Sequence, residues 1–351
     1  MAALTTTLES LLVICPSWVG DTVMATPLLQ AVRTALPGAR IIGAMRPGLE
    51  ELLAGSGWLD EIVVADTKTL TGPWRMARRV RLIAGRPGAA LVLPNSFRAA
   101  LLARLAGSRQ TIGYNRNCRG PLLTHTLAWE PASGPVPAVD YYAKLAEWAL
   151  GSPLADRRLK LAVTEMQRAA ATRLLEGVKG PFVVLTPGAN RPDKRWPPSR
   201  FAAVAEALAK TYGLEAVLTG STSERGIVEA VVRRTEGPIH NLVSRGISLG
   251  SLKAVIQRAD LLITNDTGPR HIAAALGTPI VTLFGPTDHR WTTIDYPSER
   301  ILLAAPFLTS DLVADENHAR CSIDRIAVGD VLRAADQLLT APPRRPSTSL
   351  Q

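Results

Sequence analysis

Five short segments of this 351-residue chain gather the side chains that handle phosphates, sugars and protons. Asn265-Asp266-Thr267-Gly268-Pro269-Arg270-His271 sets a polar turn ahead of an apolar run. A helix starting there would offer unpaired backbone N–H groups and a positive dipole end to a phosphate. Taken alone the pattern favours the plainer role of an N-cap, and His271, one turn in, the role of a packed histidine. Pro187 to Pro197 carries Asn190, Lys194 and Arg195 in a loop stiffened by prolines. Fixed cations suit a diphosphate, although a lone Lys-Arg pair is commonly just a solvated loop. Two such turns in one half of the chain describe a nucleotide-diphosphate site; Gly220-Ser221-Thr222 is a further polar segment of that half. In the other half, Pro16-Ser17-Trp18-Val19-Gly20-Asp21 ends on a carboxylate and Pro94-Asn95-Ser96-Phe97-Arg98 on a guanidinium. From spacing alone Asp21 reads as a helix cap or a first-turn acid stabilised by the dipole.

All five segments fall where a strand gives way to a helix, which is where open parallel sheets bind ligands. Apolar runs at 11–15, 40–45, 61–65 and 89–93 alternate with helical patterns at 21–36, 47–54, 74–84 and 96–106. Pro27 is early enough to be absorbed in the first turns of its helix. The pattern loosens over 114–137, a helix follows at 139–150, and a linker is expected between about 151 and 180. Strands at 182–186, 216–219, 239–243, 261–264 and 280–284 then alternate with helices at 199–212, 227–234, 249–258 and 269–276. Repeated β-then-α units predict an α/β protein of two facing Rossmann-like domains with parallel sheets. The expected division is 1–165 and 166–327, then a helix over 328–340 that could return to the N-terminal domain, and a disordered Pro/Arg/Ser tail over 341–351.

With 46% hydrophobic and 20% charged residues the chain can bury two cores, which excludes disorder over most of its length. Cys15, Cys118 and Cys321 are scattered and odd in number, against a disulfide framework or a zinc site, and imply a reducing compartment. No GxGxxG opens the first unit, and GxxxxGK[ST], HExxH, GxSxG and a metal-holding DxD are all missing. Those absences disfavour dinucleotide oxidoreductases, P-loop NTPases, metalloenzymes and α/β-hydrolases. A net charge of +10 favours a polyanionic partner. Only 5% aromatic residues, with no run of basic residues interleaved with aromatics as a stacking platform, argues against nucleic acid. No long apolar segment is present, so a soluble or peripherally bound protein is expected. The segment from Trp74 to Arg86 mixes Arg75, Arg78, Arg79, Arg81 and Arg86 with Met76, Val80, Leu82 and Ile83, enough to touch an anionic membrane, although a solvated helix face is the simpler reading.

Taken together, Pro16 to Asp21, Leu93 to Arg98, Lys194-Arg195-Trp196-Pro197, Asn265 to His271 and Gly285-Pro286-Thr287 resemble the lipopolysaccharide heptosyltransferase family over roughly Leu11 to Leu339. The Pro-Ser-Trp opening favours its heptosyltransferase II form. The resemblance implies a GT-B fold. It also implies inverting, metal-independent transfer of heptose from ADP-L-glycero-β-D-manno-heptose to a heptosylated Kdo–lipid A acceptor, at the cytoplasmic face of the inner membrane and with no cofactor beyond the nucleotide sugar. It makes Asp21 the catalytic base and gives the donor to Asn190, Lys194, Arg195, Ser221, Thr222, Asp266, Thr267, Gly268 and His271. The lipid-linked, anionic acceptor falls to Ser17, Trp18, Gly20, Asn95, Ser96, Arg98, Arg116 and Arg119. The chain departs from some members at Ala189 and Asn190, where they carry hydroxyls, and at Thr222, where they carry an acid. A glycosyltransferase using another nucleotide sugar, a sugar-nucleotide epimerase and a non-catalytic binding protein are the competing readings.

Overall fold

A computed structural model of the protein describes residues 3–5, 7–65, 69, 71–129, 134–304 and 321–341. The chain forms two compact units, 1–162 with 292–294, and 163–291 with 295–351. The tail expected over 341–351 lies outside the described residues apart from Ala341.

The first unit runs β1 (Ser10–Ile14), α1 (Val19–Met24), α2 (Thr26–Ala35), β2 (Arg40–Met45), α3 (Glu50–Leu53), β3 (Glu61–Val64), α4 (Gly72–Ala84), β4 (Ala89–Val92), α5 (Phe97–Leu105), β5 (Gln110–Asn115), β6 (His125–Ala128) and α6 (Ala138–Leu150). Its six strands pair in parallel in the order β3-β2-β1-β4-β5-β6. β1 and β4 are buried almost without interruption, as central parallel strands covered on both faces must be. The single helix expected over 21–36 is two. Proline has no N–H to donate, and Pro27 opens α2 rather than lying inside one long helix, with Ala25 as the joint.

The second unit runs α7 (Glu165–Leu174), β7 (Phe182–Thr186), α8 (Pro198–Tyr212), β8 (Glu215–Leu218), α9 (Arg225–Val232), β9 (Ile239–Asn241), α10 (Leu249–Arg258), β10 (Leu261–Asn265), α11 (Gly268–Leu276), β11 (Ile280–Phe284), β12 (Glu299–Leu303) and α12 (Val328–Leu339). Its sheet, β12-β11-β10-β7-β8-β9, is also all parallel and repeats the topology of the first. The helix expected over 328–340 is α12. α12 buries Val331, Ala334, Ala335 and Leu338 in the core that α8 and the second sheet share, because its apolar stripe matches that face.

In each sheet the chain first builds outward one way from the founding strand, then returns to build the other way. The crevice where direction reverses lies beyond β1 and β4 in the first sheet and beyond β7 and β10 in the second. Four of the five chemistry-bearing segments follow those four strands.

Candidate functional site

In the second unit, Asn265 at the end of β10 ties the two reversal turns together. Its Oδ1 accepts from Trp196 N at 3.1 Å, and its Nδ2 donates to the carbonyls of Pro187 at 3.0 Å and Gly188 at 3.2 Å. Trp196 anchors the same loop from below: it is fully buried, packs edge-on against Phe201 at 5.1 Å and donates from Nε1 to Ile326 O at 3.0 Å. Arg195 adds a bond from Nε to Ala189 O at 2.9 Å. On this fixed loop Lys194 Nζ lies 2.9 Å from Asp266 Oδ2, which also accepts from Thr287 Oγ1 at 3.2 Å.

The N-cap role that spacing favoured for the Asp266–Gly268 turn is not taken up. Thr267 occupies the N-cap position of α11 but makes no capping bond; its hydroxyl turns to Thr264 Oγ1 at 3.1 Å and Asn265 O at 3.2 Å. Pro269 has no N–H and Arg270 N donates to Thr267 O at 3.2 Å, so the helix start leaves the N–H groups of Thr267 and Gly268 open beside an ammonium group, which suits an anion. Burial pushes the Asp266 carboxyl up, but the Lys194 ammonium, which also donates a hydrogen bond to it, and the Arg270 charge outweigh that and hold it below its ordinary value. His271 is pushed down to about 3, first by burial and then by Arg270, and its Nδ1 has no hydrogen-bond partner. It is a neutral imidazole at physiological pH. Behind it, fully buried Arg270 donates from Nε to Glu299 Oε1 at 2.6 Å and from Nη2 to Oε2 at 3.0 Å.

Sequence reasoning missed Glu224. Its Oε2 accepts from Ser221 N at 2.7 Å and Ser221 Oγ at 2.8 Å, and a side chain at Gly188 would collide with it. The turns after β7 and β8 thus meet at a carboxylate two residues beyond Thr222, and the Ser221-x-x-Glu224 capping-box spacing was the available signal. Thr222 itself, like Asn190, is exposed.

In the first unit, Asp21 lies in the first turn of α1, whose N-cap position belongs to Trp18. Among the described residues the Asp21 carboxylate has neither a hydrogen-bond nor an ion-pair partner, so it caps nothing. Burial raises its pKa, and the phenol of buried Tyr142 is near enough to feel its charge. A carboxylate so placed is a stronger base than a solvated one. Gly20 precedes it in the helix, and Trp18 is 59% exposed.

Beyond β1, β2 and β4 a cavity of about 100 Å³ is lined in part by Ser17, Ser96 and Arg98. It also holds Arg46, which the sequence reading passed over; Nη1 donates to Ser17 O at 3.2 Å, while the buried Nε has no partner. The Ser96 hydroxyl is occupied as the N-cap of α5, accepting from Ala99 N at 3.2 Å. Arg98 donates to Thr69 O.

Arg119 does not fit the acceptor role expected of it. It is completely buried and spends its guanidinium on Tyr114 O at 2.8 Å, Pro94 O and Asn95 Oδ1 at 2.9 Å. It is a strut for the turn after β4. Asn95 Oδ1 is further engaged by the Tyr141 hydroxyl at 2.5 Å. Arg116 lies over the Trp129 ring, 4.7 Å from its centre. Between Arg116 and Arg119, Asn117 and Cys118 adopt φ of 52° and 58°, a left-handed pair that costs energy for residues other than glycine.

Two anion-competent reversal turns on one Rossmann-type sheet, and an unpartnered carboxylate at the reversal of another, are the parts of a nucleotide-sugar glycosyltransferase of the GT-B type. Residues 75–307 match the model of glycosyltransferase family 9 (heptosyltransferase), and the chain belongs to that family. It is similar to lipopolysaccharide heptosyltransferase 2 of Escherichia coli K12, 29% identical over 80% of this chain and 84% of that one. Lipooligosaccharide heptosyltransferase 2 of Haemophilus ducreyi is 30% identical over 80% and 85%. Among solved structures, E. coli ADP-heptose LPS heptosyltransferase II superimposes with a TM-score of 0.79 at 25% identity, covering 94% of this chain and 98% of that one. A family 9 glycosyltransferase from Veillonella parvula shares the fold at 0.82, covering 96% and 98%.

Proposed function

We propose that this glycosyltransferase moves a heptose from ADP-L-glycero-β-D-manno-heptose to a heptosylated, lipid-linked Kdo–lipid A acceptor in lipopolysaccharide assembly, with inversion and without a metal. The names of its relatives support heptose, ADP-heptose and lipopolysaccharide as the substrate classes; the donor's configuration and the heptosylated acceptor rest on the resemblance of the motifs. The observation that carries the reading is the pairing of Lys194 and Asp266 beside an uncapped α11.

The acceptor hydroxyl oxygen attacks the anomeric carbon as the bond from that carbon to the diphosphate oxygen breaks, and the hydroxyl proton passes to the Asp21 carboxylate. ADP leaves as an anion. Lys194 and the N–H groups of Thr267 and Gly268 at the start of α11 balance its growing charge, the arrangement in which electrostatic stabilisation is most effective. A panel of ADP- and UDP-sugars tests the donor. Glycosidic product from ADP-heptose is the expected outcome; turnover of a UDP-sugar alone, or release of an altered free sugar nucleotide, would contradict the reading.

A further inference from the structure

The positive charge of this chain is concentrated in one stretch. Between Asp66 and Glu130 lie ten arginines and Lys68, with not a single Asp or Glu. That stretch carries +11 against a net +10 for the whole chain, so everything outside it is close to neutral. Such segregation is not needed to hold one diphosphate or one sugar.

α4 lies in the first third of the stretch and carries Arg75, Arg78, Arg79 and Arg81. Pro73, Met76, Ala77 and Val80 are buried against the first unit. With 3.6 residues per turn, Trp74, Arg78 and Leu82 must then form a row along the opposite side, with Arg75 and Arg81 beside it. Trp74 is 63% exposed and Leu82 76%. Among the described residues no carboxylate lies within ion-pair distance of Arg75, Arg78 or Arg81. The neighbouring α5 packs on α4 and adds exposed Phe97 and Arg104. On its inner side α4 supplies Pro73 and Met76 to the wall of the cavity that holds Ser17, Arg46 and Arg98.

We propose that the outer face of α4, continued by the start of α5, docks the protein on an anionic lipid bilayer. Trp74 and Leu82 enter the headgroup boundary, and the arginines meet lipid phosphates. Exposed Trp74 at one end and adjacent exposed Leu82 and Ile83 at the other, with cations between them, suit a fluid surface of phosphates better than a protein groove, which would want its apolar anchors together. Partial insertion plus a polybasic face supplies the two signals that stable membrane attachment requires. Docking on this face would bring a lipid-linked acceptor to the unit that carries Asp21, and in that respect the inference rests on the proposed function.

The test uses the full chain and vesicles that contain neither donor nor acceptor, so its outcome is independent of the transfer reaction. Sedimentation with phosphatidylcholine vesicles is compared with vesicles holding about one quarter phosphatidylglycerol. The expected result is binding to the anionic vesicles only, weakened by salt. Arg78→Gln and Arg81→Gln should each reduce it about fivefold, and Trp74→Ser with Leu82→Ser about tenfold, with all cations retained. These side chains are solvent-facing, so melting temperature and ADP binding should not move. Absence of binding to anionic vesicles, or binding that the Trp74→Ser/Leu82→Ser variant leaves intact, overturns the proposal. So does a dimer that this variant dissociates in a protein that ignores vesicles.

Discussion

Lys194 and Asp266 hold each other at 2.9 Å, so a diphosphate that takes the ammonium group must compete with a carboxylate for it. Lys194→Met should therefore weaken ADP binding and lower kcat/KM about a hundredfold, the scale of losing one placed electrostatic donor; calorimetry and initial rates check both. His271 makes a prediction of opposite kind. Its folded pKa, about 3, lies below the ordinary 6.5, so the unfolded chain binds its proton first on acidification. Its neutral burial favours folding in full above pH 6.5, and that contribution is lost as pH falls from 6.5 toward 3. His271→Gln should flatten that arm of a plot of melting temperature against pH. At this scale the sequence showed which segments carry chemistry but not which atoms are spoken for. Arg98, Arg116 and Arg119 are equivalent as letters; only the fold buries Arg119 under the turn after β4 and lays Arg116 on Trp129. Asp21 is the converse case, a helix-start acid that turns out to have no partner.

α11 is held in place by an ion pair as well as by packing. Arg270 and Glu299 are buried, joined by two hydrogen bonds. Removing one member strands the other charge, at a cost of about 3–5 kcal/mol. Glu299→Gln should accordingly lower stability in urea by roughly that amount, whereas Arg270→Met with Glu299→Leu should recover most of it. Elements with strong periodicity or clear caps were legible: α10, α12 and the central strands fall close to where the hydrophobic pattern puts them. Three strands were not. β5 and β6 mix threonine, glycine and asparagine or histidine with few aliphatics, and β12 is an edge strand with charges at its start, so neither shows the unbroken apolar run of a central parallel strand. α7, inside the expected linker, was missed although its capping-box spacing was there to read. Thr164 and Gln167 form a complete capping box, and Thr164→Ala should cost about 1 kcal/mol in the same urea titration.

Two sheets of identical topology carry different groups: the second the paired cation and open helix start, the first the unpartnered acid. ADP should consequently slow amide hydrogen exchange around Pro187–Trp196 and Asp266–Ile272 while leaving the Pro16–Asp21 turn unchanged; protection confined to the first unit would reverse the assignment of donor and base. The central claim, that Asp21 takes the acceptor proton, is tested most directly by Asp21→Asn, which keeps the shape and removes the basic oxygen. The account predicts a fall in kcat of about a hundredfold to ten-thousandfold, the usual worth of a general base, with ADP affinity and melting temperature retained. It also predicts, in the wild type, an acid limb of the rate profile lying above the ordinary aspartate range, since burial raises the Asp21 pKa. Turnover by Asp21→Asn within a few fold of the wild type would remove Asp21 from the mechanism.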